Sequence, residues 1–245
     1  MIKKIIKTIN DIIPTFIIVY ALYFFQFTGN GYRVTVPYRP TFQKISDNIY
    51  INKDNDLDSG EILGLVEQAQ ERTEKFYGEL KCLDDTVIII CDDEDISEKI
   101  GDKETSSTTF PKKKNYICIS NENLNLDILS HEMTHAELHY RLKNKALLSL
   151  PVWFNEGVAT QNDYREAYSD ENWALETDNG KNIIDCKDMD TPEEFYAGTN
   201  FDKHKRYINA KHEVSRWLDV HGQQGLIELI DELNSGEDFD TAYGK

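Results

Sequence analysis

The apolar positions of this chain follow three rhythms, and each predicts a different element. Residues 12–27 form a near-continuous apolar run, interrupted only by Pro14, Thr15 and Gln26. A bilayer-spanning helix needs roughly 17–25 residues, so the run is slightly short; reaching back to Ile9 places Asn10 and Asp11 near one interface. β-Branched runs mark strands. Residues 42–51 alternate loosely, Thr86-Val-Ile-Ile-Ile-Cys91 is continuous as in a central strand, and residues 115–120 repeat the pattern. Helical spacing takes over elsewhere. Ile62, Leu65, Val66, Ala69, Phe76 and Tyr77 form one stripe behind the capping pattern Asp58-Ser-Gly-Glu61. Ile128, Leu129, Met133, Ala136, Leu138 and Leu142 form a second, with Asn125 as N-cap and Asp127 in the first turn. Pro151 then opens a helix whose apolar face is Trp153, Phe154, Val158 and Ala159.

The intervening stretches are weaker in pattern. Residues 28–43 contain Gly29, Gly31, Pro37 and Pro40 and read as a linker. Residues 92–101 are acidic and predict a short helix. Residues 162–187 are polar and irregular, with Trp173 and Leu175 as isolated anchors. Thr191-Pro-Glu-Glu194 starts a short helix by cap, first-turn proline and capping-box glutamate. Residues 202–221 predict a longer helix ended by Gly222, and residues 223–234 the last one. Strands alternate with helices first and helices alone follow, which is an α+β domain over 44–245 behind a linker and an N-terminal segment at 1–27.

Charge narrows the partners. The formal net charge is −17; residues 1–28 hold Lys3, Lys4, Lys7 and Asp11, a balance of +2, which leaves −19 for the rest. So acidic a surface repels phosphate backbones, and no nucleic-acid partner is expected. It favours cationic substrates or simply keeps the domain soluble. The lysines ahead of the apolar run belong on the cytoplasmic side, and Tyr23, Phe24, Phe25 and Phe27 suit the opposite interface. No small-residue cleavage site or lipidation cysteine follows. The expectation is an uncleaved signal anchor, single-pass in the cell membrane, with the domain extracytoplasmic; secretion after cleavage is the alternative. Cys82, Cys91, Cys118 and Cys186 include no C-x-x-C pair, so a cysteine metal site is not expected. Disulfides and buried apolar thiols both fit these four.

The candidate chemistry lies in the second helical stripe. His131-Glu-Met-Thr-His135 has the H-E-x-x-H form. On a helix, positions i and i+4 share a face about 6 Å apart, so the two imidazoles can converge on one metal ion. Glu132 lies about 100° round the helix from His131. It points beside such an ion, where a base acting on water belongs. Glu156, in Trp153-Phe-Asn-Glu-Gly157 and 21 positions beyond His135, offers a third ligand. Three protein ligands leave one position open, as catalytic zinc sites do. His139 follows His135 by one turn and fits either a supporting or a packed role.

These motifs, with Trp153-Phe-Asn-Glu-Gly-Val-Ala159, resemble the gluzincins, metallopeptidases that hold zinc with two His and one Glu, and in particular the bacterial peptidase MA-like group. Tyr207-Ile-Asn-Ala210, Val214, Trp217-Leu218 and the leucine-rich Leu226 to Leu233 stretch extend the likeness over about residues 115–245. The resemblance implies a zincin-like fold: a small mixed sheet over the active-site helix and a helical C-terminal half. It implies Zn(2+) on His131, His135 and Glu156, Glu132 as general base, and Tyr207 as oxyanion donor, with His204 and His212 as rivals for that role. It places the strand at 115–120 over the cleft, where an exposed edge could pair with an extended peptide or protein substrate. The G-x-M-E-N motif of aminopeptidases in the wider group is absent, so an endopeptidase is the expectation. Three other readings stay open: a catalytically inactive zinc-binding domain serving as an extracytoplasmic binding or regulatory module, an anchored protease acting on one partner, and a soluble helical domain that holds no metal.

Overall fold

The structure, a computed structural model, describes residues 28–92, 99–100, 104–109 and 114–245, together with 13–14, 20 and 23–24. The apolar run expected to anchor the chain lies almost wholly outside the described residues, as does most of the short helix expected over 92–101. No helix among the described residues is long and apolar enough to cross a membrane.

The domain is mixed α+β. Its strands are β1 Phe42–Ser46, β2 Ile49–Asn52, β3 Thr86–Cys91, β4 Glu104–Thr109 and β5 Lys114–Ser120, in the spatial order β1-β2-β3-β5-β4. The central three, β2, β3 and β5, run parallel; β1 and β4 are antiparallel edges. All of β3 and the middle of β5 are buried, as parallel strands covered on both faces must be. Two expectations need correction here. The single strand expected over 42–51 is a hairpin, turned by Asn48 at φ 60, a left-handed conformation that asparagine tolerates better than most residues. The exposed edge expected on 115–120 does not exist: β5 is bonded to β3 on one side and β4 on the other, so among the described residues the edge strand on that side is β4.

Helices cover both faces. The stretch expected as a linker holds α1, Gly29–Thr35, capped by the Thr28 side chain on Gly31 N. Its Tyr32, with Val36 beyond it, packs against Val87, Ile89, Tyr116 and Cys118, so the folded body begins before residue 44. On the other face lie α2, Ser59–Tyr77, and α3, Leu126–Arg141. Ile62, Val66 and Ala69 meet Ile117, Ile119, Leu129 and Met133 there. Asp58 caps α2 through Glu61 N, as its sequence predicts.

The rest of the chain is helical: α4 Asn144–Leu148, α5 Val152–Thr160, α6 Asp170–Glu176, α7 Pro192–Phe195, α8 Asn200–Ser235 and α9 Phe239–Tyr243. Gly222, at φ 64, breaks α8 where a helix end was expected. The polar stretch 162–187 is not wholly irregular. Ser169 caps α6 there, and Trp173 stacks on His212 of α8 at 3.5 Å between ring centroids. A separate core joins Phe154 and Val158 of α5 to Ala210, Val214 and Leu226 of α8. None of the four cysteines is in a disulfide; Cys82, Cys91 and Cys118 are buried, and burial pushes the Cys82 and Cys118 thiols up to about 12.

Candidate metal centre

Helix α3 is held on every side before it presents any chemistry. Asn125 caps it through Ile128 N at 3.0 Å, and Asp127 in the first turn takes Arg72 at 2.6 Å. At its far end the fully buried Glu137 carboxylate accepts Lys81 N, Cys82 N and Arg141 Nε. Asn115 of β5 donates to Ala136 O. The helix is therefore fixed in rotation, and one face carries His131, His135 and His139 toward α5.

Helix α5 brings the third ligand. It crosses α8 so closely that a Cβ on Gly157 would lie 2.6 Å from Ala210 O and 2.7 Å from Val214 Cγ2. Only glycine permits that approach, which explains why glycine directly follows Glu156. The result is a triangle of donor atoms. His131 Nε2 and His135 Nε2 are 3.2 Å apart, and Glu156 Oε2 lies 3.3 Å from His135 Nε2 and 3.5 Å from His131 Nε2. Donors about 2.0–2.1 Å from a tetrahedral ion stand roughly 3.3 Å from one another. All three residues are buried, and together they form a group able to hold a metal ion.

The groups behind the ligands turn them inward. Asn155 Oδ1 accepts from His135 Nδ1 and from His139 Nε2, each at 3.0 Å. An acceptor there puts the His135 proton on Nδ1 and leaves the Nε2 lone pair facing the centre. His131 Nδ1 is buried without a hydrogen bond; Asp163 Oδ2, fully buried and gripped by Arg165, is 3.8 Å away. The second oxygen of Glu156, Oε1, accepts from the Tyr196 hydroxyl at 2.5 Å.

The electrostatics follow. Burial alone pushes His135 down, but the Glu156 carboxylate, with Glu132 and Asn155, raises it to about 9. Burial pushes Glu156 up, yet the two imidazoles hold it well below the usual carboxylate range. Burial and the neighbouring His135 charge lower His139 to about 4, so it is neutral near pH 7 and can support Asn155 without adding charge.

The expected site residues are thus brought together with different completeness. His131, His135 and Glu156 converge, and Glu132 is buried on the same turn. Tyr207 stands beside His131, with ring centroids 6.4 Å apart, and packs edge-on against Phe195. His204, one turn earlier on α8, pairs with Glu176 at 3.1 Å and Asn172 at 3.3 Å. His212 faces Trp173 instead; it sits about 140° round α8 from Tyr207. Asn155, Asp163 and Tyr196 went unnoticed in the sequence. Asn155 had a signal, its place beside Glu156; the other two had none, because their partners are remote in the chain. No family model matches this chain and no curated protein matches it, so its site geometry carries the functional reading.

Proposed function

We propose that the chain is a zinc-dependent metallopeptidase of the gluzincin kind with a zincin-like fold, cleaving within peptide or protein chains with Glu132 as general base. One observation carries this: His131, His135 and Glu156 present three donors at tetrahedral spacing, with Glu132 buried on the helical turn between the histidines. A structural site has four protein ligands and no use for a base beside it. Two imidazoles and a carboxylate favour zinc, which when bound polarises a carbonyl oxygen and lowers the pKa of water toward neutrality.

The chain's own groups supply the remainder. Glu132 takes a proton from the attacking water and delivers it to the leaving amine. Asn155 keeps the proton of His135 on Nδ1, and the Asp163 carboxylate faces Nδ1 of His131 at 3.8 Å. Tyr207, beside His131, is the oxyanion donor, a role worth about 3 kcal/mol. An extended substrate adds to the edge strand β4, in place of the edge expected on β5. Anchorage through residues 1–27, with the domain outside the cytoplasm, belongs to the same proposal.

The test uses the full-length chain, because α1 packs on the sheet and a truncation at the expected linker would remove it. Zinc analysis should give near-stoichiometric metal in the parent and none in His131→Ala. Glu132→Gln should keep its metal and lose cleavage of casein or a peptide library by about 10²–10⁴-fold. Full activity in Glu132→Gln removes the base assignment. A zinc-loaded parent that cleaves nothing favours the inactive binding or regulatory module.

A further inference from the structure

Glu156 has two oxygens, and they meet different surroundings. Oε2 faces both histidine Nε2 atoms, while Oε1 is taken by the Tyr196 hydroxyl. A carboxylate left to itself can turn and give both oxygens to a cation, filling the position that a reacting water needs. Tyr196 prevents that turn only if it is itself held, and it is. The capping box of α7 closes on Thr191, with Thr191 N donating to Glu194 Oε2 and Glu194 N donating to Thr191 Oγ1. Phe195 is fully buried beneath, edge-on to both Tyr196 and Tyr207. Tyr196 N then donates to Pro192 O.

We propose that Tyr196 is a positioning residue: it holds Glu156 Oε1 so that the carboxylate gives the metal one oxygen and an open coordination position survives. The proposal rests on the metal-centre reading above. It also divides the two tyrosines. Tyr196 acts on the ligand; Tyr207, beside His131, is left to face the substrate.

The test is cobalt(II) substitution of the full-length chain, because cobalt absorption separates four-coordinate from five-coordinate sites without any turnover. The parent should bind one cobalt with intense four-coordinate bands. Tyr196→Phe, which removes only the hydroxyl at a residue 41% exposed, should still bind but with the weaker bands of a five-coordinate ion. Its metal affinity should fall by about 10–100-fold, the usual effect of losing a group that orients a ligand. Tyr196→Ala must show the same weakened bands, so the result does not hang on one variant. Parental bands in both Phe and Ala variants overturn the positioning role and leave the metal centre standing. A parent that binds no cobalt or zinc at all overturns both.

Discussion

The sheet half and the helical half of this domain meet along α3, and they grip it by opposite means. From the sheet side the contact is apolar: Ile117, Ile119, Ile128, Leu129 and Met133 share one core, with Asn115 and the Glu137 carboxylate as polar anchors near the far end. From the helical side the groups that reach α3 around the histidines are polar: Asn155, Glu156, Asn162 and Asp163 all point at it. The first surface is non-directional and tolerates small shifts. The second works only at hydrogen-bond distances. Both sides add stability, since Leu138 of α3 lies in the helical core with Phe154 and Val158, but the helical side alone sets ligand geometry. The metal centre lies on the seam because it needs both.

The largest expected effects test that division directly. Phe154 and Ile89 are both fully buried, one in the helical core and one under the sheet. Phe154→Ala should cost about 3–5 kcal/mol and Ile89→Ala about 2–5 kcal/mol in chemical denaturation. Their metal affinities should part company. Phe154 precedes Asn155 and Glu156 and packs edge-on against Phe239 and Tyr243, so its loss lets α5 settle differently. Titrating zinc into each variant under conditions where it stays folded should show weaker binding for Phe154→Ala and parental binding for Ile89→Ala. Equal weakening in both would erase the distinction between the halves.

Legibility in the sequence followed the same line. Local relations were readable. The i,i+4 histidines, Glu132 between them, the caps at Asp58, Asn125 and Thr191 and the buried run 86–91 all depend on neighbours within a turn or a strand. Relations across the fold were not. Gly29, Gly31 and Pro37 suggested a linker, but burial of Tyr32 and Val36 on the sheet overrides that local preference. The polar run Glu-Thr-Ser-Ser-Thr-Thr at 104–109 gave no sign that it would pair with β5 and take the edge. Tyr196 reaches Glu156 across 40 positions, and nothing in its neighbourhood announces the contact. Glu156 itself was readable because its motif resembles that of a known family, not because spacing alone demanded it.

A smaller effect comes from pH. In the metal-free protein, His135 titrates at about 9, above its ordinary 6.5. Its contribution to stability is full below about 6.5 and is lost as pH rises through 9. Glu156 is depressed, so its contribution is present above 4.5 and is lost only as pH falls toward its lowered value. Metal must displace the His135 proton. Zinc-induced stabilisation should therefore grow between pH 6 and pH 8 by about 1.4 kcal/mol per unit at fixed free zinc, while the metal-free protein weakens over the same range. Thermal melts with zinc and with chelator would show the two slopes diverging. A zinc increment that is flat or falling with pH would mean that no imidazole proton is released, so that His135 is not held protonated by Glu156, while an increment absent at every pH would remove the metal centre.

The smallest expected effect is the sharpest test of the comparison, since it uses matched losses. Asp58 caps α2 on the sheet side and Thr191 caps α7 on the helical side. Replacing either with alanine leaves orphan N–H groups at an exposed helix start and should cost about 1 kcal/mol. The two helices differ in what they carry. Asp58 starts a helix of 19 residues whose stripe is fixed along its length by the sheet, so a frayed first turn travels nowhere. Thr191 starts a helix of four residues, and Tyr196 follows at once. There the cap is most of what keeps the turn in place, and fraying it moves the hydroxyl that holds Glu156. With stability lowered equally, Thr191→Ala should bind zinc several-fold more weakly than the parent, and Asp58→Ala should bind it unchanged. If the two variants bound alike, ligand geometry would not be the business of the helical side alone, because a loss placed far from the ligands would then serve as well as one placed beside them.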